Sequence, residues 1–398
     1  MKYLHFITDS SYFYSKKFIE LINSHFNIEE HLFIIIKEKN KKIHIDPEKF
    51  RNVKIFTYVK FFKFKGNFLT KFFTIRYATI RKLMKQAENI IIHYLTEEVS
   101  GILFGFRGKA KIIWVIWGAD LYTYLPLKLY DNHTLELLIK LESRMISIFE
   151  RILHYLSYEL RKKIIKRIDY ISSPYIGDVR LLKKYFKTKA EWYSKLIYPN
   201  PVDFEKIDGE KISLNKKLIF KKKGEKLFLL GNSGFPTNNH LDIMIRLFKL
   251  KKQNFKIICP LSYGPKNYIK KIVEKGEKLF GNRFVPLLDF YNPDQYFGIL
   301  KQIDLAIMYH NRQQGGGNII PLIYMGKLVC MKKTSGYFYL IQGGAYVFST
   351  QELEMLILNE IKLIPTMSEH NKTIVSLNNL SSVKTAISSI RSLFEFLH

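Results

Sequence analysis

Cysteine is nearly missing from this chain, with two in 398 residues, Cys259 and Cys330. Both sit in apolar runs that read as buried strands, so no disulfide framework is expected and a reducing compartment is. Long apolar runs are missing too. The longest candidate for a membrane span, Ile112 to Leu129, is broken by Asp120, Pro126 and Lys128. It falls short of the roughly 18 consecutive apolar residues that a spanning helix needs, so any membrane contact should be peripheral. Met1 to Phe13 carries Asp9 and no apolar core, and no signal peptide is expected there. No Asp-x-Asp pair occurs, which removes the ligands of a metal-clamped diphosphate site. No Cys/His cluster has zinc spacing, and no Gly-rich loop ending in Gly-Lys-Ser/Thr is present, which argues against a P-loop NTPase. No metal is therefore expected.

Acidic residues are scarce against basic ones: 35 Asp and Glu face 64 Lys and Arg, a formal charge of +29. Such a field attracts anions, whether nucleic acid, acidic lipid or a phosphorylated substrate. What the chain has in quantity is apolar residues, at 47%, and aromatics, at 15%. Its length is comfortable for two hydrophobic cores.

Short apolar runs alternate with longer mixed segments in both halves, the βαβ signature of parallel sheets and of the α/β class. In the first half Lys2–Ile7, Leu32–Ile36, Val53–Tyr58, Ile90–Tyr94, Lys111–Ile116, Tyr170–Ser173 and Leu196–Tyr198 read as strands. Leu135 to Ile168 reads as one long or broken amphipathic helix. In the second half the strands are Lys226–Leu230, Phe255–Cys259, Arg283–Leu288, Leu305–Tyr309, Lys327–Met331 and Ala345–Phe348, with helices between them. The expected organisation is two Rossmann-like, doubly wound domains: 1–200, a basic linker 201–223, and 224–375. A last helix within 376–398 is expected to return to the first domain.

Several segments carry chemistry-bearing residues. Gly231, Asn232, Ser233 and Gly234 form a turn directly after a strand and before a helix, where backbone amides and a helix dipole can meet an anion. Tyr309 to Asn318 follows a second strand and offers Arg312, Gln313, Gln314 and the glycines Gly315 to Gly317. Its guanidinium can grip a phosphate, and no Asp or Glu occurs from Leu305 to Gln351. Tyr263, after a third strand, could stack on a base. In the first half Asp120 ends the Trp117-Gly118-Ala119-Asp120 run and should emerge at the sheet edge as a general base. The competing reading of Asp120 is a cap or a structural hydrogen bond. Asp9 is the rival base, and His93 is third. Between Lys60 and Lys85 phenylalanines and lysines interleave, with Lys60, Phe61, Phe62, Lys63, Phe64, Lys65, Phe72 and Phe73 as the densest part. That mixture suits an anionic membrane surface.

These residues occur in an order that resembles a known family. Trp117 to Tyr122, Gly231 to Gly234, Asn238 with His240, Tyr263, and Arg312-Gln313-Gln314-Gly315 with Gly317 are similar to motifs of the 4-acetamido-4,6-dideoxygalactose transferases of enterobacterial common antigen synthesis, glycosyltransferase family 56. The resemblance runs from about Trp117 to Gly326. It implies the GT-B fold, with two domains facing a cleft, and an inverting, metal-independent transfer. The implied donor is a dTDP- or UDP-linked sugar, a substrate rather than a cofactor, held by the second-domain loops with Asn238 and His240. The implied acceptor is an undecaprenyl-diphosphate-linked glycan, and the implied place is the cytoplasmic face of the inner membrane, as a peripheral protein. Phe235 stands where the family pattern has a polar residue. The rival readings are a retaining GT-B transferase and a basic nucleic-acid-binding protein. The family reading expects no nucleic-acid partner.

Overall fold

A computed structural model of the chain describes residues 1–8, 12–58, 77–125, 128–141, 148–199, 220, 222–358, 373 and 382–398. Two compact units emerge. The first comprises Met1–Pro126, Ile146–Pro201 and Leu380–His398, and the second comprises Leu127–Met145 and Val202–Asn379.

Among its described residues the first unit is built on seven parallel strands: β1 (Tyr3–Ile7), β2 (His31–Glu38), β3 (Val53–Tyr58), β4 (Asn89–His93), β5 (Lys111–Val115), β6 (Tyr170–Ser172) and β7 (Glu191–Tyr193). Their order is β3-β2-β1-β4-β5-β6-β7. β1 and β4 are buried along their whole length. A strand covered by helices on both faces needs apolar side chains pointing both ways, which is why Ile90, Ile91 and Ile92 follow one another in the middle of β4. Its core gathers Phe18, Ile22, Phe33, Ile91 and Ile113 together with Ala386, Ile390 and Leu393 of the last helix, Val383–Leu397.

Among its described residues the second unit has six parallel strands: β8 (Lys226–Leu230), β9 (Phe255–Pro260), β10 (Phe284–Leu287), β11 (Leu305–Met308), β12 (Leu328–Met331) and β13 (Phe348–Ser349). Their order is β10-β9-β8-β11-β12-β13. Along β8, Leu227 and Leu229 enter one buried cluster while Phe228 and Leu230 enter another. The two-residue period of the strand thus feeds a core on each face of the sheet.

One expected strand needs correction. The last strand of the first sheet is Glu191–Tyr193 rather than Leu196–Tyr198. The backbone at Ile197 is satisfied otherwise: its amide donates to Ser389 Oγ at 3.0 Å, and its carbonyl accepts from the same hydroxyl at 3.2 Å. Of the two forms read for Leu135 to Ile168, one long helix or a broken one, the structure has the broken one, and its two helices serve different units. Asn132–Leu141 belongs to the second, where Leu137, Leu138 and Leu141 pack on its core, and Ile148–Ile165 belongs to the first.

Candidate active site

In the second sheet the chain runs outward from β8 in one direction and from β11 in the other, so the pair β8/β11 is the point where the strand order reverses. Open α/β sheets bind ligands at the carboxyl ends of such a pair. The loops that leave those two ends are the two that the glycines marked.

The β8 loop begins at Gly231, at φ +70°, where its amide donates to Ile307 of β11 at 3.0 Å. A Cβ there would lie 2.6 Å from Oδ1 of Asn238, so the position tolerates only glycine. Asn238 is buried and organises the turn. Its Nδ2 donates to the carbonyls of Ser233 at 2.9 Å and Phe235 at 3.0 Å. Its Oδ1 accepts from the Asn232 amide at 3.0 Å and faces His310 Nε2 at 2.8 Å. With Nδ2 fixed by two carbonyls, Oδ1 must be the acceptor, so His310 carries its proton on Nε2. Burial, with Arg312 next in effect, pushes the His310 pKa down to about 3 and keeps the ring neutral. The β8 loop also meets the β9 loop backbone to backbone. The Gly234 amide donates to the Tyr263 carbonyl at 2.9 Å, and a Cβ at Gly264, φ +145°, would sit 2.5 Å from the Gly234 carbonyl.

Gln314 joins the β11 loop to the β8 loop. Its Nε2 donates to Asn232 Oδ1 at 3.0 Å, while its Oε1 accepts from Thr237 Oγ1 at 2.7 Å and from Arg312 Nε at 3.0 Å. Gly315, at φ +77°, caps the helix Gly316–Tyr324. Around a Cβ at Gly316 there is open space. The amides of Gly316 and Gly317 open that helix, where no intrahelical acceptor exists for them and the dipole is positive. A half-buried guanidinium beside an open, glycine-bordered helix start is suited to a phosphoryl group.

The structure therefore brings Gly231 to Gly234 and Arg312 to Gly317 to one place, but it divides the labour differently from the sequence reading. The amides of Gly231, Asn232 and Gly234 donate inside the protein and shape the loop. The open amide cradle lies at Gly316 and Gly317. Asn238 and His240 are scaffold. His240 is fully buried with Nδ1 at 3.1 Å from Tyr268 Oη, and burial lowers its pKa to about 3. Gln313 lies against the start of the helix Ser335–Gln342, with its Cγ 3.3 Å from where a Cβ at Gly336 would be. Tyr263 is 50% exposed, and the ring of Phe235, 46% exposed, meets it edge-on at 6.0 Å. Together they form an aromatic lip after β8 and β9.

Asn239 and Lys332 were not read from the sequence. Asn239 accepts the Asp131 amide at 2.8 Å and donates to the Tyr309 carbonyl at 3.2 Å. Lys332 pairs with Asp131, donates to Asn311 Oδ1 at 2.7 Å and sits 3.8 Å over the Tyr309 ring. The available signal was position: Lys332 directly follows β12, at the same carboxyl edge.

In the first unit Asp120 does not emerge at the sheet edge. It is 2% exposed, and it accepts from the Leu95 amide at 3.1 Å, Trp114 Nε1 at 2.8 Å and the Trp117 amide at 3.0 Å. Burial raises its pKa, and the hydrogen bonds from Trp114 and Leu95 oppose the rise. This geometry is that of a carboxylate holding the Trp117 to Tyr122 turn. Asp9 lies outside the described residues, as do Lys60, Phe61, Phe62, Lys63, Phe64, Lys65, Phe72 and Phe73.

Comparison with known proteins gives the site its context. The chain has the fold of solved GT-B glycosyltransferases. It is 13% identical to a glycosyltransferase from Rickettsia africae ESF-5, covering 100% of this chain and 98% of that one, with a TM-score of 0.61. Sucrose-phosphate synthase from Thermosynechococcus elongatus matches over 100% and 99% of the two chains at 9% identity and a TM-score of 0.66. Anabaena HepE, solved with UDP and glucose, matches over 99% of each at 14% identity and a TM-score of 0.61. A family model described as 4-alpha-L-fucosyltransferase, glycosyl transferase group 56, matches residues 148–387, which span both glycine loops. With more than half of its length inside that match, the chain belongs to glycosyl transferase group 56 and is a glycosyltransferase.

Proposed function

We propose that the enzyme moves a sugar, an amino-deoxy sugar on the family resemblance, from a dTDP- or UDP-linked donor to a hydroxyl of a lipid-linked glycan, by a single inverting displacement that uses neither metal nor cofactor. The observation that carries this reading is the junction at β8/β11, where Gln314 ties Arg312 to Asn232 beside the open start of the Gly316–Tyr324 helix. Negative charge grows on the leaving diphosphate as the glycosidic bond breaks. A guanidinium and a helix dipole of roughly half a positive charge are preorganised to receive it. No Asp or Glu occurs from Leu305 to Gln351, so this loop supplies cationic and amide donors rather than carboxylate ligands for a metal. Tyr263 and Phe235 offer faces for the nucleobase. HepE, which shares the fold, was solved with UDP.

The lipid-linked acceptor and a place on the cytoplasmic face of the inner membrane, in surface polysaccharide synthesis, belong to the same proposal. They draw on the net charge of +29 and the interleaved Lys and Phe of Lys60 to Phe73. Among the described residues no helix is long and apolar enough to cross a membrane.

A thermal-shift titration with dTDP and UDP, with and without EDTA, tests the donor site. A ligand at 100 times its Kd adds about 2.7 kcal/mol to the stability of the site that binds it, enough to raise the melting temperature by a few degrees. The shift should survive EDTA and shrink in Arg312→Ala, and that variant should lose transfer by about 100-fold while its own melting point without ligand stays near wild type. Absence of any shift with either nucleotide would sink the reading.

A further inference from the structure

The helix Pro293–Lys301 follows β10, and the helix Gly316–Tyr324 follows β11. In a parallel sheet both therefore begin at the carboxyl edge, where the two glycine loops lie. A capping box fixes the first turn of the earlier helix. The Gln295 amide donates to Asn292 Oδ1 at 2.9 Å, and the Asn292 amide donates to Gln295 Oε1 at 3.2 Å. Tyr296 comes next, and its amide donates to the Asn292 carbonyl at 3.0 Å. Asn318 is in the first turn of the later helix, directly after Gly316 and Gly317. Side chains on a helix lean toward its N-terminus, so Tyr296 and Asn318 both lean toward the edge. There they meet: Asn318 Nδ2 donates to Tyr296 Oη at 2.9 Å.

A phenol has one donor hydrogen and a carboxamide has two. The bond between them uses one, and neither side chain makes another hydrogen bond among the described residues. Two donor hydrogens are left over. Turning the carboxamide leaves as many, because Oδ1 would then take the phenol hydrogen and both N–H hydrogens would be spare. Burial, with Tyr263 next in effect, raises the Tyr296 pKa, so the phenol keeps its proton. The influence of Tyr263 also puts the pair within electrostatic reach of the aromatic lip. Both side chains are half-buried, and Gly317 beside them is exposed, so a ligand over the helix start can meet the spare hydrogens. Arg312, the Gly316 and Gly317 amides and this pair are all donors, and no Asp or Glu occurs from Leu305 to Gln351. The group that answers a set of donors alone is one rich in acceptor oxygens and negative in charge.

We propose that Tyr296 and Asn318 bind the donor's diphosphate, giving their spare hydrogens to a phosphoryl group that the Gly316 and Gly317 amides also hold. No proton is transferred. Each of these bonds strengthens as charge grows on the leaving diphosphate. This inference rests on the donor site proposed above, and it adds to that site residues of the helix that follows β10. The competing role for the pair is a strut between two helices.

The test measures Kd of the full chain for UDP and dTDP by calorimetry, and for the phosphate-free probes uridine and thymidine by ligand-observed NMR, all at one salt concentration. Tyr296→Phe removes only the hydroxyl and should weaken both diphosphates about 10-fold, the scale of one hydrogen bond to a charged group. Asn318→Asp is the second variant. A carboxylate in a first helical turn suits the dipole and still accepts from the phenol, so fold and strut are kept. It replaces the amide hydrogens with negative charge, and it should weaken the diphosphates more than Tyr296→Phe does. Uridine and thymidine should bind both variants within twofold of wild type. A strut would change nucleoside and diphosphate together, or neither. Diphosphate binding by Tyr296→Phe within twofold of wild type, or equal losses for uridine and UDP, overturns the assignment and leaves the donor site standing. A wild-type chain that binds neither diphosphate removes the sugar-nucleotide reading itself, and this contact with it.

Discussion

Asn238 and Asp120 are each a polar side chain in a motif that resembles a binding site, and each turns inward. The carboxamide of Asn238 holds the carbonyls of Ser233 and Phe235, the amide of Asn232 and the ring of His310. Asn238→Ala would strand several buried groups at once, each worth about 1–3 kcal/mol. The expected outcome is a loss of about 3 kcal/mol or more in the second unit, measured by urea unfolding. Weakened nucleotide binding should follow as a consequence of loop collapse. Arg312→Ala, on a half-exposed side chain, should show the opposite split between stability and binding. Motif order reported which residue types stand at the edge of the second sheet, and Arg312, Gln314 and Gly315 were found that way. Side-chain direction was not legible, because an asparagine that contacts a ligand and one that supports the loop beneath it have the same spacing.

Strand cores were legible almost residue by residue, since a fully buried parallel strand is an unbroken apolar run. Val53–Tyr58 and Lys226–Leu230 have the bounds read from the sequence. The helices after them were harder to place. The amphipathic pattern from Leu135 to Ile168 says that a face is buried but not against which core, and the two halves of that pattern serve different units. The last helix, Val383–Leu397, joins the first unit across the whole intervening sequence, with Phe394 4.3 Å from the ring of Tyr3, 5.0 Å from His31 and 5.2 Å from Phe26. Phe394→Ala should cost about 3–5 kcal/mol, the usual range for emptying a buried aromatic site. The chain offers a selective reporter, because all three of its tryptophans, Trp114, Trp117 and Trp192, lie in the first unit. Their emission should shift at lower urea in Phe394→Ala, while nucleotide binding by the second unit persists. Coincident loss of both would mean that the helix stabilises more than its own unit.

Neutral histidines buried in both units make the molecule sensitive to acid. In the first, His5 Nδ1 lies 3.0 Å from His93 Nε2, and His5 Nε2 lies 3.0 Å from His31 Nδ1. The chain of rings continues from His93 Nδ1 to Tyr198 Oη at 3.2 Å. Burial pushes His93 down to about 3 and His31 to about 4, and it holds His5 well below its usual value. In the unfolded chain these rings titrate near about 6.5. The unfolded state therefore binds more protons than the folded one between pH of about 6.5 and about 3–4, and stability must fall as pH falls through that window and level off above it. Each such ring contributes about 1.4 kcal/mol per pH unit there, so three in one unit amount to about 4 kcal/mol per pH unit. The formal charge of +29 grows as carboxylates protonate, and self-repulsion adds to the loss. Salt separates the two effects, because it screens exposed charge and leaves the cost of charging a buried ring largely in place. Urea midpoints from tryptophan emission between pH 7.5 and 4.5 should therefore fall steeply below pH 6.5 at both low and high salt. His31→Gln should flatten the acid slope by about one proton. A slope that vanished in high salt would mean that surface repulsion, and not the buried histidine chain, sets the acid limit of this enzyme.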